Sequence, residues 1–249
     1  MTVTQRVFVA CSLVAVFALP LAAQDLPAPI TRAAICAPRA SGDGPNPSDL
    51  PQIVGGQDTT FRALYGPRDL VIINAGTGKG IQTGQKFFVR RTIVNGYENK
   101  TGRHAATTAG WLSIAAVSDD TAIGRIDFAC DSIEQWDYLE PWSAPALPLG
   151  MDRADASGEL DFSSPARVLF GDYGRLTGGQ GDMVLADLGE GAAPGARYAI
   201  YRDVKAPGVP LAAVGEAIVI SVGDRTSILR LTQSRDAIMA GDLLIARKR

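Results

Sequence analysis

From Pro51 onward, short runs of β-branched and aromatic residues alternate with glycine and aspartate turns: QIVGG, DLVIIN, KFFVRR, WLSIAAV, AIGRIDF and DYLEPW. None of these runs sustains a helical period, and their length and punctuation are those of strands buried on one face. The same order then returns as ARVLFG, DMVLAD, RYAIYRD, EAIVISV, SILRLT and DLLIAR. Asp69–Arg91 aligns with Asp182–Arg202 once two residues are dropped from a loop, and Gly110–Leu139 aligns with Gly215–Leu244 without a gap. Self-similarity of this kind marks one structural unit used twice. The pattern predicts an all-β protein of two tandem, internally repeated small β-barrel modules, at residues 51–142 and 166–249. Five or six short strands per copy avoid open edges best by curling closed.

What precedes the repeat differs in character. Arg6, the apolar run Val7–Ala23 and the small-residue exit LPLAAQ predict a secretory signal peptide over residues 1–23. That run is short for a membrane span of about 20 residues, so no integral span is expected once it is cleaved. Residues 24–50, with PAP and APRASGDGPNPS, carry few large apolar side chains and read as an extended N-terminal arm whose one hold on the rest is Cys36. Residues 143–165, rich in Pro, Ala and Asp, read as a linker.

Removing the leader takes Cys11 with it and leaves Cys36 and Cys130, an even pair suited to an oxidising compartment. Cys130 aligns with Arg235, so the module itself does not need the thiol. A Cys36–Cys130 bridge would staple the arm to the first module across about 94 residues, worth up to roughly 4–5 kcal/mol in the chain-entropy model. Two free thiols are the alternative. A periplasmic or secreted location follows from leader and bridge together. The 24 basic and 26 acidic residues are scattered, which removes the electrostatic footprint of a nucleic-acid binder.

Several polar residues shared by the copies have structural roles. Gly76/Gly189 and Gly84/Gly195 bracket a loop that asks for positive φ. Asp137/Asp242 precede the last strand in a turn, and Asp119/Asp224 sit at a hairpin tip. Ser234–Ala240 could make one helical turn before Gly241. An apolar strand, a loop ending in Gly84 or Gly195, Lys86-Phe87 or Arg197-Tyr198, then Gly-x-x-x-Ile/Val, Ser/Thr-x-Ile and a closing x-Asp make a recurring pattern. It resembles the β-barrel repeats of secreted bacterial proteins that accompany LysM domains, and is similar to the C-terminal domain of the flagellar assembly protein T family. The resemblance spans residues 52–142 and 166–249. It implies a small barrel and an envelope role, with an envelope protein or cell-wall glycan as partner.

Candidate chemistry is sparse. Gly76-Thr77-Gly78-Lys79-Gly80 invites a phosphate loop but misses the spacing and the Ser or Thr after lysine. Met151–Glu159 places Arg153 where a calcium loop needs its first ligand. Asp119 and Asp120 are adjacent and cannot share a substrate on one strand face. His104, the only imidazole, sits in the polar loop Asn95–Thr108 that the second copy replaces. No cofactor, metal site or enzymatic activity is expected. The copies differ most at tryptophans: Trp111 aligns with Glu216, Trp136 with Gly241 and Trp142 with Arg247. Such positions lie near a surface, so Trp111, Trp136, Trp142 and His104 are the candidate ligand or partner contacts. Alternatively, the arm or the second module packs over the indoles. The reading is an exported, non-enzymatic structural or protein-interaction protein of the cell envelope. A peptidoglycan or polysaccharide binder is the second.

Overall fold

The computed structural model describes residues 29–39, 47–58, 60–93, 105–171, 174–189 and 191–248; the predicted signal peptide and His104 lie outside them. Among the described residues the chain is all-β apart from short helical turns and one helix. Module 1 contains β1 (Ile53–Gly56), β2 (Leu64–Tyr65), β3 (Leu70–Ile73), β4 (Lys86–Ile93), β5 (Ala105–Val117), β6 (Ala122–Ala129), β7 (Ile133–Glu134) and β8 (Tyr138–Pro141). Module 2 contains β9 (Glu159–Gly171), β10 (Thr177–Gly178), β11 (Met183–Ala186), β12 (Arg197–Arg202), β13 (Ala212–Val222), β14 (Ser227–Ser234), β15 (Ile238–Met239) and β16 (Leu243–Lys248). Pairs β2·β7 and β10·β15 are two residues long, too short to leave a period, which is why the sequence suggested fewer strands.

The other strands follow one order in both copies. Module 1 runs β1-β3-β6-β5-β4-β8 and module 2 runs β9-β11-β14-β13-β12-β16, closing back on β9 as a barrel. In module 1 the ends meet more loosely: Ile53 N–H donates to the Asp137 carbonyl at 2.9 Å and Leu139 N–H to that of Pro51 at 2.8 Å. Matching side chains fill the two interiors, Val71, Leu112, Ile114 and Leu139 in one and Val184, Ala217, Val219 and Leu244 in the other. Volume is conserved where identity is not. Gly124 lies against Ile73 and Leu112, whereas Leu229 occupies its place in module 2 between the smaller Ala186 and Ala217.

The shared polar residues hold corners. Arg91 grips both carboxylate oxygens of Asp137 at 2.7 and 2.8 Å, and Arg202 grips Asp242 at 2.9 and 2.8 Å. Each aspartate also accepts a turn N–H, from Glu134 at 2.8 Å and from Met239 at 2.7 Å. Hydrogen bonding to these carboxylates raises both guanidinium pKa values above the ordinary. Gly84 and Gly195 take the expected positive φ, 81° and 86°. Gly76 does not; its φ is −132°, and it is glycine because a Cβ would stand 2.1 Å from the Ser118 carbonyl oxygen. Gly189 makes the same approach to Asp224 at 2.4 Å.

Three expectations are corrected. Ser234–Ala240 forms no helical turn: Arg235 and Asp236 both donate N–H to the Val214 carbonyl, which fixes a strand corner ahead of β15. The stretch read as linker already contains the start of β9, whose first half pairs with β16. The arm is not extended throughout. It forms α1 (Pro29–Cys36), with proline at the first helical position, where its missing N–H costs nothing.

Candidate functional site

The outward side of β4, β5 and β8 in module 1 is aromatic. Trp111 stacks on Phe128 at 4.6 Å and 17°, and Trp142 lies 4.6 Å from Phe88 and 5.4 Å from Trp111. An aromatic face of this size is costly to leave in water, and α1 covers it: Ile35 and Cys36 join this cluster, leaving Trp111 5% exposed. The guanidinium of Arg32 stands 5.9 Å from the Phe128 ring. The bridge between Cys36 and Cys130, Cα–Cα 5.6 Å, fastens the helix to the end of β6.

Beyond the helix the arm continues as a strand-like segment. Arg39 N–H donates to the Ala106 carbonyl at 2.8 Å, and Thr108 Oγ1 donates to the Ala37 carbonyl at 2.7 Å. Thr108 in turn accepts from Arg90. Glu140 pairs with Arg39 at 2.7 Å and lies 3.4 Å from Arg90. Burial pulls the Arg90 guanidinium below its ordinary pKa, with Glu140 opposing, and burial lifts the Tyr138 hydroxyl. A buried ion group of this kind persists only while each charge keeps its partner, so the arm's Arg39 completes a site that module 1 cannot satisfy alone.

Module 2 uses the same face in the same way with different chemistry. The positions of Phe88, Trp111, Phe128 and Trp142 hold Ala199, Glu216, Gln233 and Arg247, as matching strand registers establish. Arg247 clasps Glu216 at 3.1 and 2.7 Å and donates to the Ala156 carbonyl at 2.7 Å. Arg197 donates to the carbonyls of Arg153 and Gly150 at 2.7 and 2.9 Å, and Phe162 meets Tyr201 edge-on at 5.5 Å. Each barrel therefore carries, on one equivalent face, the chain segment that precedes it. The remaining side of α1 serves module 2: Ile30, Ala33, Ala34 and Ala37, spaced i, i+3, i+4, i+7, cluster with Met151, Met183, Ile218 and Ile220.

Of the candidate contacts, Trp111 thus packs in one cluster with Ile35 of the arm, the alternative weighed from sequence, and Trp142 sits half-buried at its edge against Phe88 and Trp111. His104 lies outside the described residues. Trp136 stands apart from the cluster, 62% exposed. It holds φ 75° where Gly241 of module 2 holds 96°, a left-handed conformation that is costly for a bulky side chain. Asp119 and Asp120 are exposed at a hairpin tip. The N–H groups of Thr77 and Gly78, which a phosphate would need, instead bind the carbonyls of Ser118 and Asp119 at 2.9 and 3.0 Å. Among the described residues no group of three or more His, Cys, Asp or Glu could hold a metal ion. No helix there is long and apolar enough to cross a membrane.

No family model and no curated protein matches this chain. Function must therefore be argued from the faces just described. Sequence reasoning missed Ile35, Ala37, Arg39, Thr108, Arg90 and Glu140. The signal for the first was present as a helical spacing after Pro29, but it is split between two stripes, each too narrow to stand out.

Proposed function

We propose that this chain is an exported, non-enzymatic protein of the bacterial cell envelope that acts by holding polypeptide on the outward faces of its two barrels. The observation that carries the reading is the doubled device: in both modules the β4/β5/β8 face, or its β12/β13/β16 counterpart, is occupied by a separate stretch of chain through side-chain and backbone bonds. A face that donates hydrogen bonds to backbone carbonyls and, in module 1, packs apolar side chains suits a protein partner. The disulfide and the predicted leader agree with an oxidising compartment. A photo-crosslinking residue placed at position 142, at the half-buried edge of that face, in cells, followed by fractionation and mass spectrometry, tests it. A discrete envelope protein captured at this position is the expected result; recovery of the protein from the cytoplasm with its leader intact overturns the reading.

A second reading, a peptidoglycan or polysaccharide binder, draws on Trp136 alone, since an exposed indole kept at positive φ where the sister copy has glycine is suited to stacking on sugar rings. Under it, Trp136→Ala abolishes pull-down on purified cell-wall glycan with an unchanged melting temperature. Unchanged pull-down removes it.

A further inference from the structure

We infer that the Cys36–Cys130 bridge is a reducible latch on the arm, and that opening it frees the aromatic face of module 1 to take a second polypeptide like the arm: a short helix with isoleucine among small residues, followed by an extended arginine. Three observations lead there. The first is access: both cysteines are half-buried rather than sealed, and they line an open cleft of about 340 Å³ together with Arg32, Phe128 and Arg175. Positive neighbours favour the thiolate that leaves when a disulfide is attacked.

The second is the weakness of the helix without its bridge. With eight residues, α1 falls below the roughly 12–15 that an isolated helix needs in water, so once the bridge opens it is held chiefly by Ile35 on module 1 and by a stripe of one isoleucine and three alanines on module 2. The third is completeness of the face beneath. Phe88, Trp111, Phe128 and Trp142 supply the apolar floor, Thr108 the donor for a carbonyl, and Glu140 the partner for an arginine. These groups belong to module 1, and departure of the arm leaves Thr108 and Glu140 each short of the partner that Ala37 and Arg39 supplied, which an incoming arm-like segment restores.

The chemistry balances with a dithiol reductant. Its thiolate attacks one sulfur of the bridge to give a mixed disulfide and release the other as thiolate. Its second thiolate then resolves that bond. The reductant departs oxidised, and two electrons and two protons reside on Cys36 and Cys130.

The purified mature chain suffices for the test, so its outcome is separate from where the protein acts. In a Trp136→Phe background only Trp111 and Trp142 report, because the chain has three tryptophans. Dithiol treatment should raise acrylamide quenching severalfold and shift emission to the red. A fluorescent peptide of residues 28–39 carrying Cys36→Ala should bind the reduced chain at least about tenfold more tightly than the oxidised one, since the tethered arm no longer competes at full effective concentration. The Cys36→Ser/Cys130→Ser chain should behave like the reduced protein, with slow amide exchange retained in β13 and β14. Unchanged quenching on reduction, equal peptide binding to both forms, or loss of exchange protection in β13 and β14 would each overturn the latch.

Discussion

The same outward face is dressed differently on the two barrels. Module 1 presents Phe88, Trp111, Phe128 and Trp142 to a helix held by a disulfide, whereas module 2 presents Ala199, Glu216, Gln233 and Arg247 to a linker held by carbonyl hydrogen bonds. The arginine–aspartate corners and the glycine contacts beneath are common to both. The difference teaches that the barrel is a scaffold indifferent to what lies on its exterior. An apolar face with a covalent staple holds a segment that must stay until released. A face of charged side chains holds one that is permanent because it is the stretch of chain that joins the two modules.

The comparison can be broken where the copies are claimed to be equivalent. Asp137→Ala and Asp242→Ala should each cost about 3–5 kcal/mol, since each removes two charge-assisted hydrogen bonds and leaves a turn N–H unpaired, although Arg91 keeps Glu134 and Arg202 keeps Asp236; urea unfolding followed by amide exchange in each module would reveal unequal costs if the corners differ in role. It can be sharpened where they diverge. Trp111→Ala should cost module 1 about 3–4 kcal/mol through lost packing, while Glu216→Ala should cost about 1–2 kcal/mol because Arg247 keeps its carbonyl partners. Equal losses by the same measurement would erase the distinction. Arg39→Ala, which leaves Glu140 with Arg90 as its remaining ion partner, should lower stability by about 1–2 kcal/mol in the oxidised chain. The smallest effect is a gain: Trp136→Gly should raise stability by about 1 kcal/mol by relieving its left-handed backbone, and a fall in melting temperature would mean that the indole is packed.

The sequence made the repeat, the all-β class and the bridge legible because each is written in residues that recur or conspicuously fail to recur. Cys130 facing Arg235 pointed to a partner outside the modules, and the bridge lies there. Trp111 facing Glu216 pointed to an outer surface. Strand periodicity, however, says which side of a strand faces inward and nothing about what covers the other side. That is why Trp111 could be placed on the exterior but not beneath α1. The arm itself was hidden for a related reason. Its helix is stabilised by two neighbours rather than by propensity, with Ile30, Ala33, Ala34 and Ala37 toward one module and Ile35 and Cys36 toward the other. Neither stripe is wide enough to outweigh the proline and glycine around it. The buried Arg39–Glu140–Arg90 group was equally silent, because arginine and glutamate on a strand read as solvent-facing until a third element arrives to enclose them.

The staple also fixes how the molecule bears load. Tension applied at the N-terminus passes from Cys36 directly into Cys130, so the 94-residue interval between them is bypassed and most of module 1 cannot be drawn out while the bond is intact. Module 2, which has no covalent shortcut among its described residues, would yield first. An oxidised chain pulled from its two ends should thus lengthen by one barrel, and a reduced chain by two.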